Sequence, residues 1–169
     1  MISFKEYNNN LKKWFGKSKV KKGNKPLTVY HGSSHEFDKF TLDAPPIAKG
    51  TIRGFYFTEA ESEAKEYGKV IMSVYLSIQN ILEADPFEFY GEAHGLKPLG
   101  FGSTKEDYAA WKKVTPDVVR KYIEKQGYDG VKHVRAYGHI VEYIAFKPTQ
   151  IKSIKNNGNF NPKNPNIFE

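Results

Sequence analysis

The chain has 169 residues, the length of one ordinary domain. It carries a net charge of +7 and has no cysteine, which excludes disulfides, thiol nucleophiles and zinc–thiolate sites. The N-terminal residues lack the apolar core of a signal peptide, and no apolar run approaches the roughly 18 residues that a membrane span needs. We therefore expect a cytoplasmic protein without a membrane partner. Its oligomeric state is not indicated by the sequence.

The first predicted element is an amphipathic helix that ends at Gly16. Its apolar residues recur at three- and four-residue spacing and so share one face: Phe4, Tyr7, Leu11, Trp14 and Phe15. Residues 12–25 contain seven lysines and no acidic residue, which fits either a solvated segment or a surface that attracts polyanions. Residues 27–31 then form a short run typical of a β-strand.

A long polar loop is predicted over residues 32–53, followed by a strand over residues 54–58. Thr58 and Glu61 have the spacing of a capping box, which predicts that a helix begins there. Gly68 ends this predicted helix.

Further strands are predicted over residues 70–76 and 81–84. The region that follows is irregular, with a possible helix over residues 106–113. Thr115 precedes a proline and an acidic residue, which predicts the start of a helix that ends at Gly127.

Residues 131–135 and 140–146 are predicted to form a hairpin joined through residues 136–138. Strands outnumber helices and do not alternate with them, so we predict an α+β fold with a mostly antiparallel sheet. We expect a single domain over residues 1–155, of which 1–25 are a basic helix and linker. Residues 156–169 are rich in Asn and Pro, which predicts an extended tail.

The first of three candidate functional blocks is Val29–Ser33, a predicted strand that ends in His31, Gly32 and Ser33. A histidine in this place ordinarily makes a local hydrogen bond at a strand end. Gly32 adds a functional possibility, because a residue without a side chain lets a ligand reach the backbone.

The second block contains Tyr56 on a predicted strand and Tyr67 eleven residues later. Both rings suit a hydrophobic core, and two rings in this arrangement could also enclose a flat ligand.

The third block contains Glu142 in a strand that is otherwise apolar on both faces. A buried carboxylate is costly unless it is paired. It is explained by a cross-strand partner such as Lys132 or Arg135, by an exposed strand end, or by retention for reaction chemistry.

In combination and order, the three blocks resemble the His-Tyr-Glu class of ADP-ribosyltransferases, which includes the poly(ADP-ribose) polymerases and diphtheria-type toxins. The matching positions are His31-Gly32-Ser33, Gly54-Phe55-Tyr56-Phe57 with Tyr67, and Glu142-Tyr143-Ile144. Four further stretches are similar to transferase modules of phage and mobile-element polyvalent proteins: residues 14–20, 25–32, 127–131 and 150–153.

The resemblance implies a split antiparallel sheet with flanking helices and the use of NAD+ as ADP-ribose donor, without a metal. It implies His31, Tyr56 and Glu142 as catalytic residues. The acceptor would be a host protein or nucleic acid. If the protein is phage-encoded, it would act in the host cytoplasm. The resemblance further implies a set of NAD+-binding residues: Tyr30, His31, Gly32, Ser33, Arg53, Tyr56, Phe57, Ser62 and Tyr67.

Two positions depart from common family patterns. Ala64 stands where many relatives carry a small hydroxyl residue, although Ser62 is near. Ile140 stands two residues before Glu142, so the Glu/Gln-X-Glu pattern of arginine- or asparagine-modifying transferases is absent.

Two alternatives stay open at this point. An RNA 2′-phosphotransferase has a related fold and uses NAD+, but it needs an arginine-rich phosphate grip, and this chain has only Arg53, Arg120 and Arg135. A catalytically inactive module that docks nucleic acid would instead bind with steep salt dependence and would not turn over NAD+.

Overall fold

A computed structural model describes residues 2–43, 52–83, 115–135 and 140–169. The predicted helix at 106–113 and the predicted turn at 136–138 lie outside these residues. The helices in the described part are α1 (Phe4–Phe15), α2 (Glu61–Lys65) and α3 (Pro116–Lys125), with a 3-10 turn at Pro148–Gln150. The strands there are β1 (Lys21–Lys22), β2 (Lys25–Pro26), β3 (Val29–Ser33), β4 (Phe55–Thr58), β5 (Val70–Leu76), β6 (Ile81–Glu83), β7 (Gly130–Arg135), β8 (Ile140–Ala145) and β9 (Ile151–Ser153).

Helix α1 forms where its periodicity predicts it. The Ser3 hydroxyl accepts a hydrogen bond from the backbone N–H of Glu6, and Gly16 ends the helix with a φ of 56°, a conformation that favours glycine. Trp14 and Phe15 are buried, whereas the Phe4 side chain is 83% exposed. The buried stripe is therefore shorter than the sequence pattern predicts.

Helix α3 also begins as predicted. The Thr115 hydroxyl accepts from the Val118 N–H, and Pro116 occupies the first turn, where its missing N–H is no loss. Val119 and Ile123 are completely buried, which fixes the helix against the sheet.

The predicted capping box at the start of α2 is wrong. The N-cap is Ala60, without a side-chain cap, and the helix ends at Lys65, before Tyr67. Thr58 cannot cap the helix because it is still part of strand β4, where it pairs with Tyr30. Its hydroxyl accepts from the nearby Ala60 N–H, at 3.3 Å.

Seven strands form one mixed sheet in the order β6-β7-β8-β4-β3-β5-β9. Every neighbouring pair is antiparallel except β6 and β7, which are parallel. The predicted α+β class with a mostly antiparallel sheet is confirmed. Strands β1 and β2 form a separate two-stranded hairpin that the sequence did not indicate.

The middle of this sheet is open between β3 and β4. These strands share a single ladder pair, Tyr30 with Thr58, whereas β3 pairs with β5 over five consecutive positions. The seven-stranded sheet is thus divided into two parts that meet at this one pair.

The two faces of the sheet belong to different hydrophobic clusters, and β8 contributes to both. Tyr143 faces the first cluster with Phe57 and Val74, whereas Ile144 faces the second with Val119. The alternation along β8 therefore sets which side chains accompany Glu142, because residues two apart share a face.

The C-terminal residues pack back onto the body of the protein through β9, a strand that the sequence did not indicate. The Phe160 ring lies 5.1 Å from the Tyr7 ring and 5.9 Å from the Trp14 ring. Ile167 joins the first hydrophobic cluster, and its backbone N–H donates to the Asp38 carbonyl. Residues 156–169 thus tie the first helix to the loop that follows β3.

None of the helices in the described segments has the length and hydropathy that a membrane crossing requires.

Candidate active site

Four polar residues occupy consecutive ladder positions across four neighbouring strands. Tyr30 on β3 pairs with Thr58 on β4, Thr58 pairs with Glu142 on β8, and Glu142 pairs with His133 on β7. Directly paired side chains point to the same face and lie about 4.5–5.5 Å apart at Cβ. We call Tyr30, Thr58, Glu142 and His133 the polar row.

Glu142 lies within the sheet rather than in bulk solvent. Its side chain is 13% exposed, and its Oε2 atom lies 3.6 Å from Nδ1 of His133, whose side chain is also 13% exposed. The sequence suggested Lys132 or Arg135 as cross-strand partner, and the ladder corrects this. Lys132 pairs with Tyr143 instead and forms an ion pair with Glu83, at 3.4 Å.

His31 is attached to β4 at the opening between the two parts of the sheet. Its Nδ1 lies 2.8 Å from the backbone carbonyl oxygen of Tyr56. Because a carbonyl oxygen only accepts, Nδ1 carries the proton, and Nε2 of the neutral ring is an acceptor. Nε2 forms no hydrogen bond within the described part of the chain.

An aromatic enclosure keeps the His31 ring neutral. The ring lies 5.1 Å from the Phe40 ring, 5.6 Å from Phe57 and 6.1 Å from Phe37. Burial lowers the pKa of His31 below 6.5, and the hydrogen bond to Tyr56 opposes this shift only in part. Phe57 is itself buried in the first cluster, so it supports His31 from behind.

Tyr56 is fixed at both ends. Its ring packs against the second hydrophobic cluster, while its hydroxyl donates to the Ile52 carbonyl at 2.7 Å and accepts from the Ile52 N–H at 2.9 Å. Thr58 follows two residues later on the same face and is paired with Glu142. Tyr56 and Glu142 are therefore diagonal neighbours on one face of the sheet. Phe57 alternates with Tyr56 along β4, and the His31 ring packs against Phe57, so it lies toward the opposite face.

The segment around α2 is pressed against β3. A side chain at Gly32 would overlap the carbonyl oxygen of Ala64, and one at Gly68 would overlap the backbone of Ser33. The room that Gly32 leaves is therefore occupied by α2. The Tyr67 side chain, just beyond this helix, is 63% exposed.

The remaining predicted residues have more local surroundings. Ser62 is exposed on α2, and the Ser33 hydroxyl accepts from the His35 N–H at 3.4 Å. The Arg53 guanidinium donates to the Leu42 carbonyl and lies 3.8 Å from the Asp117 carboxylate. Arg53 thus links the loop after β3 to the start of α3.

Sequence reasoning missed His133 and Thr58 as members of the row. The hairpin prediction did not identify His133, because its three-residue connection, 136–138, would place Lys132 opposite Glu142. Thr58 was interpreted as a helix cap, and its strand position follows from pairing on both sides.

The mixed sheet, the N-terminal helix and the divided β3–β4 junction are consistent with an ADP-ribosyltransferase fold. The family model described as "ADP-Ribosyltransferase in polyvalent proteins" matches residues 21–160, and the chain belongs to this family.

No curated protein matches the chain in a sequence comparison. A similar solved structure is titled "Crystal structure of an anti-CRISPR protein", with 12% sequence identity, 76% of this chain and 94% of that chain covered, and a TM-score of 0.41. A likeness at this level carries no argument about function.

Proposed function

We propose that this protein is an NAD+-dependent mono-ADP-ribosyltransferase of the His-Tyr-Glu class, acting on a host macromolecule. The observation that carries the proposal is the position of Glu142 in a chain of this family. Its carboxylate, on a side chain that is 13% exposed, lies on β8, next to β4. Strand β4 bears Tyr56, whose backbone carbonyl accepts the hydrogen bond from His31 Nδ1. A carboxylate in such surroundings is costly to the fold unless paired and is typical of a reaction site.

Glu142 is the residue that acts on the reacting bond. The bond from the ribose C1′ to the nicotinamide nitrogen breaks, the electron pair leaves with nicotinamide, and the ribose develops oxocarbenium character. The Glu142 carboxylate accepts a hydrogen bond from a ribose hydroxyl and stabilises this positive charge. The acceptor then forms the new bond to C1′ and loses its proton.

His31 is suited to hold the adenosine side of NAD+. Its Nδ1 is committed to the Tyr56 carbonyl, at 2.8 Å, which leaves Nε2 as an acceptor for a ribose hydroxyl. The lowered pKa supports this role, because a protonated ring would offer a donor at Nε2 instead.

Tyr56 and Tyr67 are proposed to enclose the nicotinamide ring. Tyr56 is held by its hydroxyl and its packing, and Tyr67 presents a largely exposed ring. Ring stacking of this kind contributes about 1–3 kcal/mol. Tyr30, Gly32 and Ser33 are proposed to contribute groups from β3, with Gly32 acting through its backbone because α2 fills the space beside its Cα.

The other predicted NAD+ ligands have different support. Phe57 acts behind His31, and Arg53 approaches the pyrophosphate only after giving up its contacts with Leu42 and Asp117. Ser62 is exposed on α2, where its hydroxyl offers the group that Ala64 lacks.

One observation favours the alternative of a nucleic-acid-binding module. All seven lysines of residues 12–25 are exposed in the structure. A positively charged surface also suits a nucleic-acid acceptor of the transferase. It therefore does not distinguish an inactive nucleic-acid-binding module from a transferase that modifies nucleic acid. The alternative of a 2′-phosphotransferase is disfavoured because it needs arginines to bind an RNA phosphate. Arg120 instead pairs with Glu124 at 3.3 Å and lies over the Phe146 ring.

The test is incubation of the protein with NAD+ labelled in the adenylate phosphate and with host lysate. We expect a macromolecule to acquire label while nicotinamide is released, and we expect Glu142→Gln to abolish both signals. Protease and nuclease digestion of the labelled fraction then identify the acceptor class. Salt-sensitive binding of nucleic acid without nicotinamide release would favour the inactive module and overturn the proposal.

A further inference from the structure

His133 lies opposite the proposed catalytic carboxylate but is not among the residues that the family resemblance implies. It pairs directly with Glu142 in the β7–β8 ladder, so the two side chains share a face. Nδ1 of His133 is 3.6 Å from Oε2 of Glu142, and both side chains are 13% exposed. The contact is therefore sheltered from solvent, where a polar interaction is stronger than at the surface.

The neighbours of His133 along β7 contribute to other parts of the fold. Val131 is buried in the second hydrophobic cluster, and Lys132 points to the opposite face, where it pairs with Glu83. His133 therefore shares the face of Val131, two residues before it, and its side chain lies beside Glu142 at the edge of the second hydrophobic cluster. It is the residue of β7 that reaches the polar row.

We propose that His133 is a positioning residue that acts through Glu142, an inference that rests on the proposed transferase activity. With a proton on Nδ1, the His133 imidazole donates to Oε2 of Glu142 and fixes the carboxylate rotamer. Oε1 is then directed toward the ribose of NAD+. The present 3.6 Å separation is longer than a hydrogen bond, and the proposed contact requires the two atoms to approach when substrate binds, as catalytic hydrogen bonds often do.

The variants that test this role differ in where they keep a donor. Asparagine carries its amide nitrogen about where histidine carries Nδ1, whereas glutamine carries it about where histidine carries Nε2. We expect His133→Ala and His133→Gln to lower kcat for nicotinamide release by up to about 100-fold, because a small displacement of a catalytic group has this effect. His133→Asn restores most of the rate, and the KM for NAD+ changes little in all three.

Lys132→Ala is the matched control, since it truncates the adjacent residue on the opposite face of the same strand. We expect it to keep the wild-type rate. In a double-mutant cycle, His133→Ala causes no further loss when Glu142 is already alanine, because a positioning residue has nothing left to position.

The outcomes separate the two proposals. A wild-type protein that releases no nicotinamide overturns the transferase function and this inference with it. An active wild type with an unchanged kcat in His133→Ala overturns the role of His133 alone. Equal losses in the Ala, Asn and Gln variants, accompanied by a lower melting temperature, would show a structural role and also overturn the inference.

Discussion

Lys152 and Glu142 are both charged side chains held away from bulk solvent, yet their surroundings differ. Lys152 is completely buried, and its Nζ donates to three backbone carbonyls of the C-terminal segment, those of Asn164, Asn166 and Glu169. An ammonium group has three donors, so each one is used within the fold. We call this arrangement the C-terminal anchor.

The polar row is organised differently. Glu142 lies on β8, next to β4, the strand that His31 contacts through the Tyr56 carbonyl. His31 uses one ring nitrogen for that bond, and Nε2 has no partner in the described residues. The difference indicates that the anchor serves stability, whereas His31 keeps an acceptor, Nε2, beside the strand that pairs with β8. Substitutions in the two regions should therefore separate effects on folding from effects on turnover.

The largest expected effect is that of Glu142→Ala on turnover. Loss of a group that stabilises transition-state charge lowers kcat by about 100- to 1,000-fold, while the dissociation constant for NAD+ changes little. Steady-state nicotinamide release and calorimetric titration with NAD+ measure the two quantities. Glu83→Ala, which removes an exposed carboxylate from β6, is the control. Wild-type turnover by Glu142→Ala would contradict the proposal that Glu142, unlike Lys152, serves the reaction.

The next largest effect is that of Lys152→Met on folding. Three carbonyls lose their donor, so we expect the free energy of unfolding to fall by about 2–4 kcal/mol. Urea denaturation measures this loss, and hydrogen exchange at the Ile167 N–H reports whether the C-terminal segment detaches first. Lys155→Met alters an exposed neighbour and should leave stability unchanged. A Lys152→Met protein as stable as wild type would show that the C-terminal anchor does not hold the segment.

The anchor also predicts a dependence on pH. Burial lowers the pKa of Lys152 from 10.5 to about 8, and the attraction of Glu169 opposes the shift. Between these two values the unfolded chain binds the proton more than the folded chain does, so this group makes stability rise as pH increases from about 8 toward 10.5. That contribution should disappear in Lys152→Met.

Local patterns allowed much of the fold to be predicted from the sequence. Helices α1 and α3 and strand β5 follow from periodicity and from caps that lie within a few residues. Strand β9 and the packing of residues 156–169 depend on contacts with β5 and α1, which a local pattern cannot specify.

The partner of Glu142 shows how one residue of register changes a site. A connection of three residues, 136–138, would place Lys132 opposite Glu142. The observed ladder pairs Arg135 with Ile140, so four residues intervene and His133 takes that place. A shift by one residue exchanges the faces of a strand, so the length of the connection determines which side chain faces Glu142.

A smaller effect on activity is expected for Tyr67→Ala. Stacking on a flat ring contributes about 1–3 kcal/mol, so the KM for NAD+ should rise by about 5- to 150-fold, with stability unchanged because the ring is largely exposed. Tyr67→Phe should keep the wild-type KM, since it retains the ring. Phe4→Ala removes another exposed aromatic ring, on α1, and serves as the control. An unchanged KM in Tyr67→Ala would exclude this ring from the NAD+ site.

The smallest effect concerns the pH dependence of stability through His31, whose ring is packed among aromatic side chains and is also proposed to bind NAD+. Its folded pKa is below the unfolded value of 6.5, mainly through burial among aromatic rings. As pH falls below 6.5, the unfolded chain takes up a proton that the folded ring resists, so stability declines until the folded pKa is reached.

His31→Asn keeps a donor for the Tyr56 carbonyl without a titrating ring, and it should remove this decline. His35→Asn, at an exposed site, should retain it. Urea midpoints compared between neutral and mildly acidic buffer measure the slope. Equal slopes in wild type and His31→Asn would mean that the ring accepts a proton as readily in the folded protein as in the unfolded chain, and that burial among aromatic rings does not disfavour the protonated form.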